Sequence, residues 1–288
     1  MHRRTWLGAA AAALAGCTLA PDADHNGPDA PRAEPLGRPV RIAWVLSSGG
    51  PRGFVQVGVL KALDELGLRP DLIVGASVGA LVGCLRASGV PASEIEALAL
   101  NLQLTAMARL VWSSDARFSG APVADLVRQH SDVQLLERMP VAMACVAARK
   151  GDRALVAFTA GDAGVAVQAS SAIEGQFTPV RINGEQFIDA DWVAPLPVRL
   201  ARSLGAQRVL AVDATAHEER APSGAEVYRV SDQRKRALVR ADAVSADVLL
   251  HPDFGYWVSL SREFRERAIA AGYRDTMAQA ARLRELHR

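Results

Sequence analysis

The chain has 288 residues, of which 50% are hydrophobic and 22% are charged, and its formal net charge is +2 at pH 7. This length is enough for one large domain or two small domains with a sizeable core. The nearly balanced charge and an aromatic content of 5% argue against a nucleic-acid partner, which would call for a basic excess or stacking aromatics.

The first 17 residues predict an export signal. A short basic stretch, MHRR, precedes an apolar run of small residues, TWLGAAAAALAG, that is too short to remain as a transmembrane helix. The run ends in LAGC, which resembles the lipobox of bacterial lipoproteins. That resemblance implies lipidation at Cys17 and attachment to a membrane through this residue. Thr18 in the next position, rather than aspartate, is similar to outer-membrane lipoproteins and implies a location facing the periplasm.

Residues 18–40 are predicted to be a disordered tether, because they contain five prolines and no apolar periodicity. Residues 41–288 are predicted to form one domain, with a core at 41–215 and a helical part at 216–288. Cys84 and Cys145 stand among apolar neighbours and are expected to be buried thiols, with a disulfide as the alternative in an exported protein. The cysteine and histidine spacings predict no metal site and no cofactor.

The domain opens with alternating strand and helix patterns. RIAWVLS (41–47) and DLIVGAS (71–77) are predicted buried strands, and FVQVGVLKALDELGL (54–68) and VGALVGCLRASG (78–89) are predicted helices. This βαβα order is typical of an α/β domain with a parallel sheet. PASEIEALALNLQLTAMARLVW (91–112) predicts an amphipathic helix capped by Ser93. This helix is expected to line a groove, to form a lid or to pack on the sheet.

Two predicted hairpins follow. The first turns at Lys150–Asp152, and the second has Asn183–Gly184 as a two-residue type I′ turn. A short helix in VAVQASSAI lies between them, and VRLARSLGA and QRVLAVDAT then predict a helix and a buried strand. A long amphipathic helical region is predicted from about Tyr256.

Two glycine-rich turns carry the predicted chemistry. SSGGPRG (47–53) follows the first strand and offers backbone N–H groups to a negative charge. GASVG (75–79) fits G-x-S-x-G between a buried strand and a helix, which is the setting of a nucleophile elbow. Gly75 and Gly79 allow the tight turn, and the helix N-terminus favours negative charge beside Ser77.

These turns and two later motifs, ASSAIEGQFTPV (169–180) and FIDADWVAPLPV (187–198), together resemble the patatin-like phospholipase family in its bacterial lipoprotein branch. The resemblance covers residues 40–215 and continues weakly towards the C-terminus. It implies a patatin-like three-layer α/β/α fold with a mainly parallel central sheet. It also implies a lipid acyl ester as substrate, such as a phospholipid or lysophospholipid.

The resemblance further implies a Ser–Asp dyad without histidine. Ser77 would be the nucleophile that forms an acyl-enzyme, and Asp189 would be the proton acceptor. Gly49 and Gly50 would supply the oxyanion hole, and Arg52 and Gly53 would shape the loop around it.

The chain departs from the family pattern in three places. Ser48 replaces the first glycine of the loop, and Pro51 adds a residue that has no N–H. Asp189-Ala190-Asp191 replaces D-G-G or D-G-A. Ala190 would be strained if its φ were positive. In an extended strand Asp191 would share a face with Asp189 and would raise a pKa by like-charge repulsion.

Other functions remain open at this stage. A Ser-His-Asp α/β-hydrolase would use Ser77 and Asp189 with His217 or His251 as the base. The altered motifs also allow a catalytically inactive lipoprotein that acts as a binding module. A dinucleotide site at Ser48-x-Gly50-x-x-Gly53 is disfavoured because the next strand ends in Gly75-Ala76-Ser77 without an acidic residue. A metal at Asp189-x-Asp191 is disfavoured because no other ligand cluster accompanies it.

Overall fold

The computed structural model describes residues 22–103 and 107–288. The predicted export signal, Cys17 and the first residues of the predicted tether lie outside this part of the chain. None of the helices in the described ranges is both long enough and apolar enough to cross a bilayer.

The strands of the described chain are β1 (Ile42–Leu46), β2 (Leu72–Ala76), β3 (Arg109–Leu110), β4 (Phe118–Ser119), β5 (Ala142–Arg149), β6 (Leu155–Phe158), β7 (Val180–Ile182), β8 (Glu185–Asp189), β9 (Arg208–Val212) and β10 (Val248–Leu250). The main sheet has the order β10-β9-β1-β2-β5-β8-β7, and β6 also pairs with β5. The pairs from β10 to β5 are parallel, whereas the pairs that involve β6, β7 and β8 are antiparallel. The sheet is therefore mainly parallel, as predicted.

The helices of the described chain are α1 (Phe54–Glu65), α2 (Val78–Ala87), α3 (Ala92–Asn101), α4 (Ala121–His130), α5 (Ala163–Ser170), α6 (Val198–Ser203), α7 (Arg229–Ala243), α8 (Arg262–Met277) and α9 (Ala280–Leu286). Alternate residues of β1 enter two separate cores, because side chains alternate along a strand. Trp44 and its β1 neighbours Ile42 and Leu46 face the core formed with α1 to α5 and α8, whereas Ala43 and Val45 face the core formed with α6 and α7. This gives the predicted three layers.

Both predicted hairpins are confirmed as β5–β6 and β7–β8. Asn183 and Gly184 have φ values of +50° and +80°, as a type I′ turn requires. The predicted helix over 91–112 is wrong in extent, since α3 ends at Asn101 and the chain is already in a strand at Arg109. Ser93 is not its cap either, because Pro91 occupies that position.

The C-terminal part also differs from the prediction. Its long helical region begins at Arg262 rather than Tyr256, and a strand, β10, adds to the sheet beside β9. The helix α7 lies within the predicted helical part at 216–288, but no bounds were predicted for it. The two cysteines, Cys84 and Cys145, are buried free thiols, as expected.

Residues 22–40, here called the N-terminal strap, lie against the folded domain. The His25 N–H donates to Arg181 O at 2.9 Å, and Arg32 pairs with Ala160 in an antiparallel bridge. Ala30 is buried in the core. The prediction of a disordered tether is therefore wrong for residues 22–40, because the segment obtains backbone partners from β7, an edge strand of the sheet.

Candidate active site

Ser77 lies at a strained turn between β2 and α2. Its φ and ψ of +55° and −123° are outside the usual regions for a residue with a side chain, and such strain is common at functional sites. A Cβ at Gly75 would lie 2.4 Å from Gly79 O, and one at Gly79 would lie 2.3 Å from Leu46 O. The two glycines of GASVG are thus required by the close approach of neighbouring backbone.

The register of β5 brings Ser77 and Asp189 together. Along β5, Val146 is opposite Ala76, the last residue of β2, and Ala147 is opposite Asp189, the last residue of β8. Because these two positions on β5 are consecutive, the serine that follows β2 and the aspartate that ends β8 lie at the same level of the sheet. Two motifs more than 100 residues apart in sequence therefore meet.

Ser170 supports the elbow from the end of α5. Its hydroxyl accepts a hydrogen bond from Ser77 N at 2.9 Å and donates one to Val146 O at 2.6 Å. The side chain is fully buried and links the Ser77 backbone to the backbone of β5. Ser170 belongs to the ASSAI motif, but the sequence alone does not indicate its role, because its contacts are with distant segments.

The two carboxylate oxygens of Asp189 have different surroundings. Asp189 Oδ1 accepts the Asp191 N–H at 2.8 Å, whereas the buried Oδ2 has no hydrogen bond of normal geometry within the described residues. Burial, and next the charge of Asp191, raise the pKa of Asp189 to about 7. The Ser77 hydroxyl, the Asp191 amide and Lys235 oppose this rise because they favour the ionised form. A carboxylate with this pKa is suited to accept and return a proton near neutral pH.

The two unusual residues of the motifs contact each other. The Ser48 hydroxyl donates to Asp191 Oδ1, and Lys235 of α7 pairs with Asp191 Oδ2. Residues 190–192 form a 3-10 turn rather than an extended strand, so Asp191 reaches Asp189 through the turn and not by alternation. Ala190 does not have a positive φ, so the strain considered for this position is absent.

The glycine loop continues into a short 3-10 helix at Gly50–Gly53. Pro51 occupies its first turn, where proline is tolerated because the N–H is not needed for the helix. The Ser48 N–H donates to Pro195 O at 2.8 Å. By contrast, the Gly49 and Gly50 N–H groups donate no hydrogen bond within the described part of the chain. These two amides have the donor capacity that an oxyanion hole needs.

Arg52 holds the loop from behind. Its buried guanidinium donates to Ala214 O at 2.9 Å and to Tyr256 O at 2.8 Å, and it lies 4.5 Å from the centre of the Phe254 ring. Gly53 is required by packing, since a Cβ there would lie 2.4 Å from the Val78 side chain. Arg52 and Gly53 thus fix the position of the loop against the β9 end of the sheet and against α2.

A cavity of about 270 Å³ opens beside Ser77. Its walls are almost entirely apolar and come from the glycine loop, from helices α1 to α4 and from the ASSAI segment. The residues that line the cavity include Gly50, Pro51, Gly53, Ser77, Leu98 and Leu102. Since α3 forms one wall of this cavity and also packs against α1 and α8, it is part of the domain core.

His217 and His251 lie together at Asp213, at the ends of β9 and β10. His217 Nε2 is 2.8 Å and His251 Nδ1 is 3.3 Å from Asp213 Oδ2, and the pKa of this carboxyl is held well below its usual range by these contacts. Neither imidazole hydrogen-bonds to Ser77 or Asp189 within the described residues. The structure thus places both alternative bases in a separate cluster.

The same three side chains are the described group in which metal-ligating atoms converge, within 4.8 Å of one another. The imidazole rings are stacked, with centres 3.4 Å apart and planes 4° apart. The nitrogen lone pairs of the two imidazoles therefore lie in two parallel planes and do not point to a common ion. Arg236 Nη1 also lies 3.1 Å from His217 Nε2 and adds a positive charge. In this arrangement the cluster fits a hydrogen-bonded brace under the glycine loop rather than a metal centre.

Comparison with known proteins identifies the family. A family model described as patatin-like phospholipase matches residues 44–202. Patatin-like phospholipase domain-containing protein 7 of Rattus norvegicus is 30% identical over 186 residues, which is 62% of this chain and 14% of that protein. An uncharacterized NTE family protein of Mycobacterium tuberculosis is 30% identical over 214 residues, which is 72% of this chain and 58% of that protein.

Among solved structures, VipD from Legionella pneumophila matches with a TM-score of 0.59 and 14% identity, over 91% of this chain and 71% of that one. At this identity the match supports the fold. The chain spans only part of the two sequence relatives. The residues matched by the family model, 44–202, contain the glycine loop, the elbow and the aspartate motif. Because the family model covers more than half of the 288 residues, the chain belongs to the patatin-like phospholipase family.

Proposed function

We propose that the protein is a serine hydrolase of lipid acyl esters that uses a Ser77–Asp189 dyad. The family supports a lipid hydrolase. The observation that supports the dyad is the position of the buried Asp189 at the same level of the sheet as the strained Ser77, whose hydroxyl lowers the pKa of that carboxyl. The apolar cavity beside Ser77 supports an acyl chain as the bound group.

In the acylation step, the Ser77 hydroxyl gives its proton to Asp189 Oδ2 as Ser77 Oγ attacks the ester carbonyl carbon. The carbonyl oxygen becomes an oxyanion, which the Gly49 and Gly50 N–H groups stabilise. The intermediate then collapses, the bond to the alcohol breaks, and the alcohol oxygen takes the proton from Asp189. A single oxyanion donor contributes roughly 2.7–4 kcal/mol in comparable enzymes.

In the deacylation step, Asp189 accepts a proton from a water molecule, which attacks the acyl carbon of the Ser77 ester. The second oxyanion occupies the same hole. Collapse breaks the bond to Ser77 Oγ, which recovers the proton from Asp189, and the fatty acid leaves. One carboxylate thus serves as base and then as acid in both steps, which is consistent with a pKa near 7.

The substrates proposed are phospholipids, lysophospholipids and related lipid esters. Each methylene of a bound chain contributes about 0.8 kcal/mol when it leaves water, so the apolar walls favour long acyl groups over short ones. The walls carry few polar groups that would select a head group, so that selection falls to residues outside the cavity.

The test is active-site labelling combined with turnover. Ser77→Ala is expected to abolish both fluorophosphonate labelling and hydrolysis of a p-nitrophenyl fatty ester. Asp189→Asn is expected to abolish turnover, since the amide cannot accept the Ser77 proton. His217→Gln and His251→Gln are the matched controls and are expected to keep activity near the starting level, with folding checked by circular dichroism.

Two results would contradict the proposal. A folded His217→Gln or His251→Gln variant without activity would assign the base to that histidine. Absence of Ser77-dependent labelling in the unmodified protein would instead favour the inactive binding module.

We also propose that the chain is a lipoprotein attached through Cys17, on the basis of the LAGC motif and the preceding basic and apolar stretches. In a Gram-negative host, Cys17→Ser is expected to prevent incorporation of tritiated palmitate and to move the protein out of the outer-membrane fraction. Equal incorporation by both proteins would contradict this.

A further inference from the structure

An exposed apolar surface lies at the start of α7 and in the loop before α8. We call this the aromatic surface. It consists of Val227, Tyr228, Val230, Trp257, Val258 and Leu260, whose exposed fractions range from 46% to 80%. Large apolar side chains that are grouped and exposed mark an interaction site more often than scattered ones do.

The two segments of the aromatic surface form one unit. The Tyr228 and Trp257 rings meet edge to face with centres 6.3 Å apart, and the Tyr256 ring lies 5.3 Å from Trp257. The Tyr256 hydroxyl donates to Asp232 of α7 at 2.5 Å. These contacts hold the apolar side chains in place while leaving them open to solvent.

The helix beside this surface presents positive charge. The α7 sequence, RVSDQRKRALVRADA, contains five basic and two acidic residues. Both acidic residues, Asp232 and Asp242, are buried and engaged, with Tyr256 and Arg199 respectively. Arg229, next to the apolar side chains, is exposed and forms no ion pair within the described residues. Lys235 pairs with Asp191, and Arg236 and Arg240 pair with Glu219, so the positive charge that α7 leaves without an ion pair in the described chain is that of Arg229 and Arg234.

The aromatic surface is joined to the cavity at both ends of its loop. At one end Arg52 of the glycine loop donates to Tyr256 O at 2.8 Å. At the other end Arg265 donates to Leu260 O at 2.9 Å and to Leu102 O at 2.8 Å, and Leu102 lines the cavity. The exposed Trp257 thus stands between two segments that form the cavity wall.

We propose that the aromatic surface docks the protein on the surface of an anionic phospholipid bilayer. Tryptophan and tyrosine side chains are suited to the headgroup region, where one end is apolar and the other wet. The basic face of α7 adds attraction to anionic headgroups, about 1 kcal/mol for each cation near the surface. If a second copy of the chain bound to the aromatic surface, the two α7 helices would face each other, and repulsion between their basic side chains would oppose this dimer.

This docking surface goes beyond the proposed hydrolase activity and does not require turnover. Its position beside the cavity is meaningful for lipid hydrolysis only if the proposed function holds. It is also separate from attachment through Cys17. The experiment therefore uses the full chain with Cys17→Ser, which removes the acylation site, and with Ser77→Ala, which removes the nucleophile.

The first measurement places an environment-sensitive fluorophore on Val258→Cys. Cys84 and Cys145 are buried, so the introduced thiol is the accessible one in the described chain. On addition of phosphatidylcholine vesicles that contain phosphatidylglycerol, the emission at position 258 is expected to shift to the blue. The matched probe is at Trp112→Cys, a residue 83% exposed beside the β7–β8 hairpin, and no shift is expected there.

The second measurement is vesicle partitioning. Trp257→Ser with Arg229→Glu is expected to lower partitioning into the anionic vesicles by about tenfold or more. Trp112→Ser with Arg117→Glu is the control, removing the same residue types from exposed positions elsewhere, and it is expected to leave partitioning unchanged. Circular dichroism shows whether each variant is folded.

Equal shifts at both positions, or equal partitioning of the two double variants, would overturn the proposal. A shift at position 258 that appears on concentration without vesicles, together with a dimer on gel filtration, would assign the surface to a second copy instead. Vesicle binding is measured on the Ser77→Ala protein, whereas fluorophosphonate labelling is measured on the unmodified protein. A negative result in one measurement therefore does not affect the other, and the docking surface and the hydrolase activity are tested separately.

Discussion

At the scale of single residues, the unusual members of the two motifs act as a pair. Ser48 and Asp191 replace small residues of the family pattern, and the hydroxyl of one donates to the carboxylate of the other. Lys235 neutralises part of the added charge. Besides burial, the environment of Asp189 is thus set by Asp191 in the same turn and by Ser48 and Lys235 from distant segments, and changing these residues singly adjusts its proton affinity.

The pH dependence of turnover tests this arrangement. Since only ionised Asp189 accepts the Ser77 proton, kcat/KM is expected to rise with pH and to level off above about pH 7. Asp191→Asn removes the neighbouring negative charge but keeps an oxygen for Ser48, so the acid limb is expected to move to lower pH. Lys235→Met removes the compensating cation, so the limb is expected to move to higher pH. A pH–rate profile of each variant measures the shifts.

Shifts of the same sign in both variants, or no shift in either, would show that Asp189 is not the titrating base. The control is Asp125→Asn, which removes a carboxylate from an exposed ion pair with Arg128. This variant is expected to leave the pH–rate profile unchanged.

Pro51 offers a second test at this scale. If Gly49 and Gly50 supply the oxyanion hole, Pro51→Ala restores an N–H that is not needed, and turnover is expected to stay within about twofold. Loss of the rigid ring is expected to lower the free energy of unfolding by about 0.4–1 kcal/mol. A large gain in kcat would instead show that the proline blocks a donor. Steady-state kinetics and urea unfolding measure the two effects.

The two residues of the candidate dyad could be predicted from sequence, whereas the residues that hold them in place could not. Ser77 and Asp189 stand in short motifs whose residues are neighbours in the chain. Ser170 and Lys235 act only through contacts with β5 and with the turn at Asp191, far away in sequence. Single-sequence patterns carry little information about such long-range contacts, because a buried serine or a surface lysine is common elsewhere.

At the scale of elements, local patterns were most reliable where burial is uniform. The strands β1 and β2 are buried at every position and were predicted within one residue of their bounds. The bounds of α7 were not predicted within the helical part at 216–288, because its surface is strongly basic and just three of its residues are buried. Predicted α3 was too long, since the apolar residues after Asn101 that seemed to continue its pattern contribute to the cavity and to β3 instead.

The wall formed by α3 yields a prediction about chain-length selection. Leu98→Trp adds bulk to the cavity, so kcat/KM for a long-chain ester is expected to fall about tenfold while that for a butyrate ester changes little. Leu100→Trp is the control on the same helix, because Leu100 is part-buried but does not line the cavity. A p-nitrophenyl ester series measures both. Equal losses for short and long esters would mean that the cavity does not hold the acyl chain.

At the scale of the whole molecule, the buried Asp189 carries a cost in stability. Its pKa is about 7 in the folded chain and near 3.8 when unfolded, so the unfolded chain binds fewer protons between these values. The contribution of Asp189 to the free energy of unfolding therefore decreases as pH rises from about 4 to 7, by about 1.4 kcal/mol per unit at most. The raised pKa that suits Asp189 to proton transfer thus opposes folding at neutral pH.

Removing this charge is expected to stabilise the fold. Asp189→Asn should increase the free energy of unfolding at pH 8 relative to the unmodified protein, and the increase should shrink towards pH 4. Urea unfolding at several pH values measures it. An unchanged difference between pH 4 and pH 8 would mean that Asp189 is not buried as a charged group.

The N-terminal strap has a mechanical consequence. His25 N–H donates to Arg181 O at 2.9 Å, and Asn183 N–H donates to His25 O at 3.1 Å, so the strap is fastened to β7 and to the turn that leads into β8. Asp189 is the last residue of β8. A pulling force applied at the N-terminal end of the described chain would first load the contacts of Asp22 with Arg109, Ser119 and Gln168, and then the hydrogen bonds that Asp24 and His25 make with the β7–β8 hairpin. Tension along the N-terminal segment would therefore be transmitted to β8, the strand that ends at Asp189, the proposed proton acceptor.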